Sequence, residues 1–289
     1  LVDTPQTMTV IKKQLIDQQG ATTLTEALRN TPGVGTFFLG ENGNTSTGDA
    51  IYMRGFDSSS AIFVDNVRDL GSISRDMFNI EQVEVLKGPA GADNGRGSPT
   101  GSINLVTKQP MMSDAFSSSL TYGSWNQKRA TADWNKVIND DQGMAFRLNL
   151  MKQDSGVPGR HEVNNDRYGI APGFAFGLNS PTRVFLNYLH IEQDNVPDGG
   201  VPTIGLPGYS SPDPARPFIA NAPRVGSANF YGSVNDFDKV KSDMLTARVE
   251  HDFSPTVKLQ NTTRYGKTSQ DYFLTSFMAS GIASSTRPA

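Results

Sequence analysis

The sequence predicts a β-rich chain in two parts: a mixed α/β unit over residues 1–110, then the first portion of a transmembrane β-barrel over residues 111–289. Three observations predict it. From Phe116 onward, apolar and polar residues alternate with period two in segment after segment. The connections between these segments alternate between tight turns and long loops, as they do in outer-membrane barrels. No apolar run approaches the ~20 residues of a membrane helix, which removes helical membrane proteins and leaves barrels untouched.

In the first unit the elements are short and separated by glycine. Residues 7–11 are a β-branched run suited to a strand. Residues 24–30 read as a short helix: Thr23 caps it, Glu26 lies three positions on, and Pro32-Gly33 stops it. Short strands follow at 50–53 and 61–64, with a polar loop between them and Asp65-Asn66 as a turn. Residues 74–78 suit a brief helix and 83–86 a strand; after the break at Gly88-Pro89, residues 102–107 resume as a strand. Such a unit buries a modest core and is marginal unless it packs against something larger.

In the second part Phe116, Leu120 and Tyr122 face away from Ser117, Ser119 and Thr121. Ala130, Ala132 and Trp134 likewise oppose Arg129, Asp133 and Asn135, and Phe146, Leu148 and Leu150 oppose Arg147, Asn149 and Gln153. Phe174 and Phe176 oppose Gly173 and Ala175. Leu245, Val249 and Phe253 oppose Thr246, Arg248 and Glu250, and Leu259 and Tyr265 oppose Gln260 and Arg264. Charges thus recur on one stripe and apolar residues on the other. Period alone does not say which stripe faces inward, and a soluble sandwich shares it. Tight turns are expected at 139–142, 179–181 and 254–255, and long loops at 152–166 and 194–239. About seven strands can be counted, whereas a barrel of ~8 strands fills its interior with its own side chains. If the first unit sits inside, most of the barrel lies outside this chain. Trp125, Trp134, Phe253 and Tyr265 near strand ends fit an interfacial girdle or ordinary packing equally.

Composition removes several functions. The 26 Lys+Arg against 29 Asp+Glu leave a net charge of −3 and no basic excess for nucleic acid. Cysteine is absent, which excludes disulfide scaffolds, thiolate-bound zinc, iron–sulfur clusters and cysteine nucleophiles. His161, His190 and His251 lie on separate segments without ligand spacing. The glycine-rich stretch 87–101 is not a phosphate loop: no Gly-Lys-Ser/Thr follows, and Gly95, Gly97 and Gly101 miss the dinucleotide spacing by one residue. No serine elbow or Ser/His/Asp set is present, so no catalytic constellation and no built-in cofactor is expected. Arginines in unusual settings remain. Arg54 and Arg96 read as structural ion pairs or surface charges, and Arg68 is a binding candidate on a loop with no need for charge. Arg75 lies just beyond it.

Several runs resemble the plug signature of TonB-dependent outer-membrane receptors. They are Ile80-Glu81-Gln82-Val83-Glu84-Val85-Leu86-Lys87-Gly88-Pro89, then Asn94-Gly95-Arg96-Gly97, then Gly101-Ser102-Ile103-Asn104-Leu105-Val106-Thr107-Lys108. Ile51-Tyr52-Met53-Arg54-Gly55-Phe56 is similar to the family's second plug motif, and Val2-Asp3-Thr4-Pro5-Gln6 to the segment after the TonB box. The stretches 66–76 and 98–104 resemble the Fiu and PiuA type of catecholate siderophore receptor.

The resemblance implies a 22-stranded barrel in the outer membrane of a Gram-negative bacterium, enclosing the plug and surrounded by outer-membrane lipid. It implies a monomer and uptake of a ferric siderophore, with iron arriving already held by the siderophore. TonB, driven by the ExbB-ExbD motor, would pull a box expected before Leu1. An anionic, aromatic ferric catecholate needs guanidinium groups and aromatic faces. The residues expected to supply them are Arg68, Asp69, Leu70 and Arg75 on the plug apex, Phe38 and Asn42 beside it, and Tyr209 and Tyr231 on the long loop. Arg54, Lys87 and Arg96 are expected to pair with lumen carboxylates. Other cargoes (a hydroxamate siderophore, cobalamin, a carbohydrate) and a soluble β-rich adhesin stay open at this point.

Overall fold

The computed structural model describes residues 7–37, 48–88, 100–211 and 214–276. Strand β1 (Thr7–Lys12) runs directly into helix α1 (Lys13–Gln18), an element the sequence reading did not anticipate; it buries only Ile16. Helix α2 (Leu24–Leu28) starts as its residues dictate. The Thr23 hydroxyl accepts the Glu26 N–H at 3.3 Å, and the Glu26 carboxylate accepts the Thr22 and Thr23 N–H groups at 2.7 and 3.2 Å. Strands β2 (Val34–Phe37), β3 (Ala50–Met53) and β4 (Phe56–Asp57) form a small sheet. Strands β5 (Ile62–Val64), β6 (Val67–Arg68), β7 (Ile80–Lys87) and β8 (Gly101–Thr107) join β1 in the order β1-β7-β8-β5-β6. Leu24, Leu28, Ile51, Met53, Ile62, Val83, Val85, Ile103 and Leu105 pack into the core between these layers. Each is worth about 1.5–3 kcal/mol on leaving water.

Residues 74–78 are not the helix expected of them. Their backbone groups are taken by distant residues and by a side chain of the segment itself. The Arg75 N–H goes to the Asp49 carboxylate at 3.2 Å, and the Arg75 carbonyl accepts the Leu24 N–H at 2.9 Å. The Met77 N–H goes to the Thr22 carbonyl at 2.9 Å, and the Phe78 N–H to the Asp76 side chain at 2.9 Å. A segment whose donors are spent this way cannot also close helical rings.

The remaining strands form one meander in chain order: β9 (Ala115–Gly123), β10 (Gln127–Asn139), β11 (Met144–Val157), β12 (Arg160–Phe176), β13 (Thr182–Val196), β14 (Phe237–Ser254) and β15 (Val257–Phe273). Every neighbouring pair is antiparallel. The turns at 140–143, 177–181 and 255–256 close one end of this wall. At the other end 124–126 and 158–159 are short, and 197–236 is long. The long loop expected at 152–166 is therefore a hairpin, paired as far as Val157 with Arg160. The rise in polarity there, where Lys152 pairs with Asp166 on the outer face, reflects a change of surroundings along the strands and not their end.

The stripes resolve the question that period two leaves open. Arg147, Asn149, Gln153, Arg167, Gln193, Ser242, Thr246 and Glu250 are buried, while Leu150, Ile170, Phe174, Leu186, Val249 and Phe253 are exposed. Thr246 is 5% accessible and its neighbour Leu245 52%. A sheet that hides its polar face and shows its apolar one is built to meet lipid outside and a polar interior.

Candidate functional site

The site is built where the first unit meets the inner face of the wall, toward the long-loop end. Asp65 and Asn66, both at positive φ (48° and 64°), turn β5 into β6. Asp65 is held there by the Thr107 N–H at 2.9 Å and the Thr107 hydroxyl at 2.7 Å. The turn presents Arg68, exposed, with its Nε donating to the Ser60 carbonyl at 2.8 Å. Asp69 then accepts the Gly71 N–H at 3.1 Å, and the turn it closes lifts Leu70 to 80% exposure.

Arg75 does not join this exposed group. It is 6% accessible, and its Nε donates to Asp69 and its Nη1 to Asp49, both at 2.9 Å, while Nη2 donates to the Gly71 carbonyl at 2.6 Å. Burial works against its charge, but Asp69 and Asp49 together hold its pKa above the ordinary arginine range. Arg75, expected beside Arg68 as a second ligand cation, is thus placed as a strut within the apex. Gly48, at φ +82°, lets Asp49 reach it: a Cβ there would lie 2.7 Å from the Ser72 backbone.

The seam between unit and wall is ionic. Asp76, with a fully buried side chain, receives Arg129 Nη2 at 2.6 Å and Nη1 at 2.8 Å, and Arg167 Nη1 lies 3.7 Å away. Lys108 meets Asp133 at 3.0 Å and donates to Asn149 at 3.0 Å; Asp133 also takes Arg147 at 2.8 Å. Arg264 donates to the Val64 carbonyl at 2.7 Å, and Gln193 to the Ser74 carbonyl at 2.8 Å. The Asp76 contacts run with the opposite polarity to the expected one, carboxylate on the unit and guanidinium on the wall. Arg54 is exposed at φ +52° in the turn after β3, and Lys87 is half-buried at the end of β7. Phe38, Asn42 and Arg96 lie outside the described residues. Asp76 and Lys108 lie in the motif runs but nothing in the sequence marked them as wall contacts, whereas strand parity places Arg129, Asp133, Arg147 and Arg264 on the polar stripe that the structure turns inward.

A cavity of about 340 Å³ opens between the start of α2, Ser74 and the inner faces of β10–β15, with Pro197 and Asp198 also lining it. The long loop is tied down around it. Arg160 binds Asp198 at 2.6 Å and the Ser227 carbonyl at 2.7 Å, and Asp236 accepts the Thr275 N–H and hydroxyl, each at 2.8 Å. Tyr209 and Tyr231 are half-buried within the loop, the latter accepting from Asn229 at 3.2 Å. On the outer face Trp134, Phe146 and Phe174 form a contiguous aromatic row, with centroids 6.1 and 4.8 Å apart. Farther toward the long loop the same outward parity carries Lys152, Asp166, Glu192 and Lys241.

Comparison with known proteins places this architecture. Residues 1–102 match the TonB-dependent receptor plug domain. The chain is 51% identical over 288 residues to the catecholate siderophore receptor Fiu of Escherichia coli strain K12, covering 100% of this chain and 38% of that protein. It is 37% identical over 278 residues to the probable TonB-dependent siderophore receptor PiuA of Acinetobacter baumannii, covering 95% of this chain and 36% of that one. The crystal structure of the E. coli K12 ferric-catecholate import receptor Fiu in its closed form superposes with a TM-score of 0.91 at 51% identity, over 98% of this chain and 39% of that chain. The chain therefore spans well under half the length of the relatives it matches. Residues 1–102 thus match the TonB-dependent receptor plug domain, and over 95% or more of its length the chain is similar in sequence to two siderophore receptors and in fold to one of them.

Proposed function

We propose that this chain is the plug and the first wall strands of an outer-membrane receptor that takes up ferric siderophores of the catecholate class in a Gram-negative bacterium. One observation carries the reading: a wall with its apolar face outward grips a separately folded unit through charged and polar contacts. Such a seam suits an insert that must be seated and later shifted, because moving interfaces are generally the more polar ones. In this reading further strands complete a barrel of 22, and the receptor acts as a monomer. TonB with the ExbB-ExbD motor draws on the segment preceding β1. The protein contributes binding and passage and no catalysis.

Arg68 and Leu70 face the arriving ligand, with Phe38, Asn42, Tyr209 and Tyr231 as further walls; Asp69 and Arg75 hold the loop in shape. A guanidinium ~4 Å from an anionic oxygen supplies on the order of 4 kcal/mol of attraction at an effective dielectric of ~20, before desolvation. Iron enters as part of the cargo, so the receptor needs no metal ligands of its own. Arg54, Lys87 and Arg96 are assigned to pairs with carboxylates on strands beyond this chain. The test is a fluorescence titration of the complete receptor with a ferric catecholate, a ferric hydroxamate and cobalamin, paired with radioiron uptake with and without the membrane potential. Saturable binding of the catecholate and potential-dependent uptake are expected; preference for either other cargo overturns the catecholate assignment.

A further inference from the structure

Arg167 is 4% accessible, yet its Nε and Nη1 have no hydrogen-bond partner, and its contact with Asp76 is 3.7 Å long. Ser155 Oγ and Asn195 Oδ1 are also buried without partners, and all three side chains line the same 340 Å³ cavity. Unsatisfied buried polar atoms are rare because each costs about 1–3 kcal/mol. Four such atoms belong to side chains that line one hollow and have hydrogen-bonding capacity unused.

The acidic groups on the cavity already have partners, and Asp238 meets both Asn195 and Arg167. Glu26 accepts the hydrogen bonds of its capping box, Asp198 is paired with Arg160, and Asp238 takes Gln270 at 2.8 Å. Arg129 already holds both oxygens of Asp76. The capacity left over is two guanidinium N–H donors, one hydroxyl and one amide oxygen, in a space large enough for a single aromatic ring and its substituents.

We propose that this cavity binds one oxyanion-bearing aryl arm of the cargo, with Arg167 as its anchor, Ser155 donating to the adjacent oxygen and Asn195 accepting an amide N–H. The assignment rests on the siderophore reading above. It also links occupancy to the seam, because an oxyanion that takes Arg167 draws it away from Asp76 and leaves the plug held there by Arg129 alone.

The test uses the complete receptor and the iron(III) complex of 2,3-dihydroxybenzoate, read by tryptophan fluorescence; Trp125 lies beside the cavity, its carbonyl accepting the Gly156 N–H at 3.0 Å. Arg167→Gln and the cavity-filling Ser155→Leu should each weaken binding at least tenfold. Arg183→Gln, in the ion-pair cluster at the far end of the wall, should leave it unchanged. Should Arg167→Gln misassemble, Ser155→Leu, which removes no ion pair, decides alone. Wild-type affinity in Ser155→Leu, or in both variants, overturns the proposal while leaving the receptor reading intact. Absence of a saturable response in the wild type, with binding of other ferric complexes, overturns the catecholate reading and this site with it.

Discussion

Two charged residues of the plug, Arg68 and Asp76, stand in opposite environments, and their substitutions should behave accordingly. Arg68 is exposed on the hairpin that Asp65 and Asn66 turn. Arg68→Ala should weaken ferric-catecholate binding at least tenfold in a titration, with no loss of assembly; unchanged affinity removes it from the binding surface. Asp76 is the opposite case, a buried carboxylate between Arg129 and Arg167. Asp76→Asn strands two wall guanidinium groups, and breaking a buried pair from one side costs about 3–5 kcal/mol. Hydrogen exchange in 70–80 should accelerate in that variant; native protection there would show that the seam is held elsewhere. Arg68 was legible as a candidate because charge on a loop has few structural reasons. Arg75 looked the same in one dimension, and only the approach of Asp49, 26 positions away, reveals it as a strut.

Among the elements, the edge between β7 and β8 depends on one backbone. Gly101 sits at φ +137°, and a Cβ there would lie 2.2 Å from the Leu86 carbonyl oxygen and 2.9 Å from the Met53 sulfur. Gly101→Ala should cost about 1–3 kcal/mol, read as a lowered plug unfolding midpoint by hydrogen exchange. An unaltered midpoint would mean that the strand relaxes freely. Leu245 on β14 tests the other part. If its exposed face meets lipid, Leu245→Arg should destabilise the folded barrel by about 2–4 kcal/mol near the bilayer centre, measured by refolding in vesicles. A neutral outcome would return the strand to a water-facing surface. The wall strands were the most readable elements, since alternation over nine or more residues leaves little choice. The segment 74–78 has a local pattern that suits a helix, but Arg75 and Met77 spend their backbone groups on distant partners, which only the folded chain brings near.

For the whole molecule, the division into a hydrophobically cored plug and a hydrogen-bonded wall predicts two stabilities. Plug amides should exchange faster than wall amides in the assembled receptor, because the plug is seated by a polar seam and the wall by continuous ladders. Uniform protection would mean that the plug does not loosen independently. The sequence by itself determined the two-part plan, the strand parity, the capping box of α2 and the absence of cysteine chemistry, because each follows from neighbours a few positions apart. Tertiary structure alone decided which stripe faces inward, that 152–166 is a hairpin, and that Arg129, Arg167 and Asp76 converge. Period two is symmetric between faces, and a contact such as that of Asp76 with Arg129, 53 positions apart, exists only once the chain has folded back on itself.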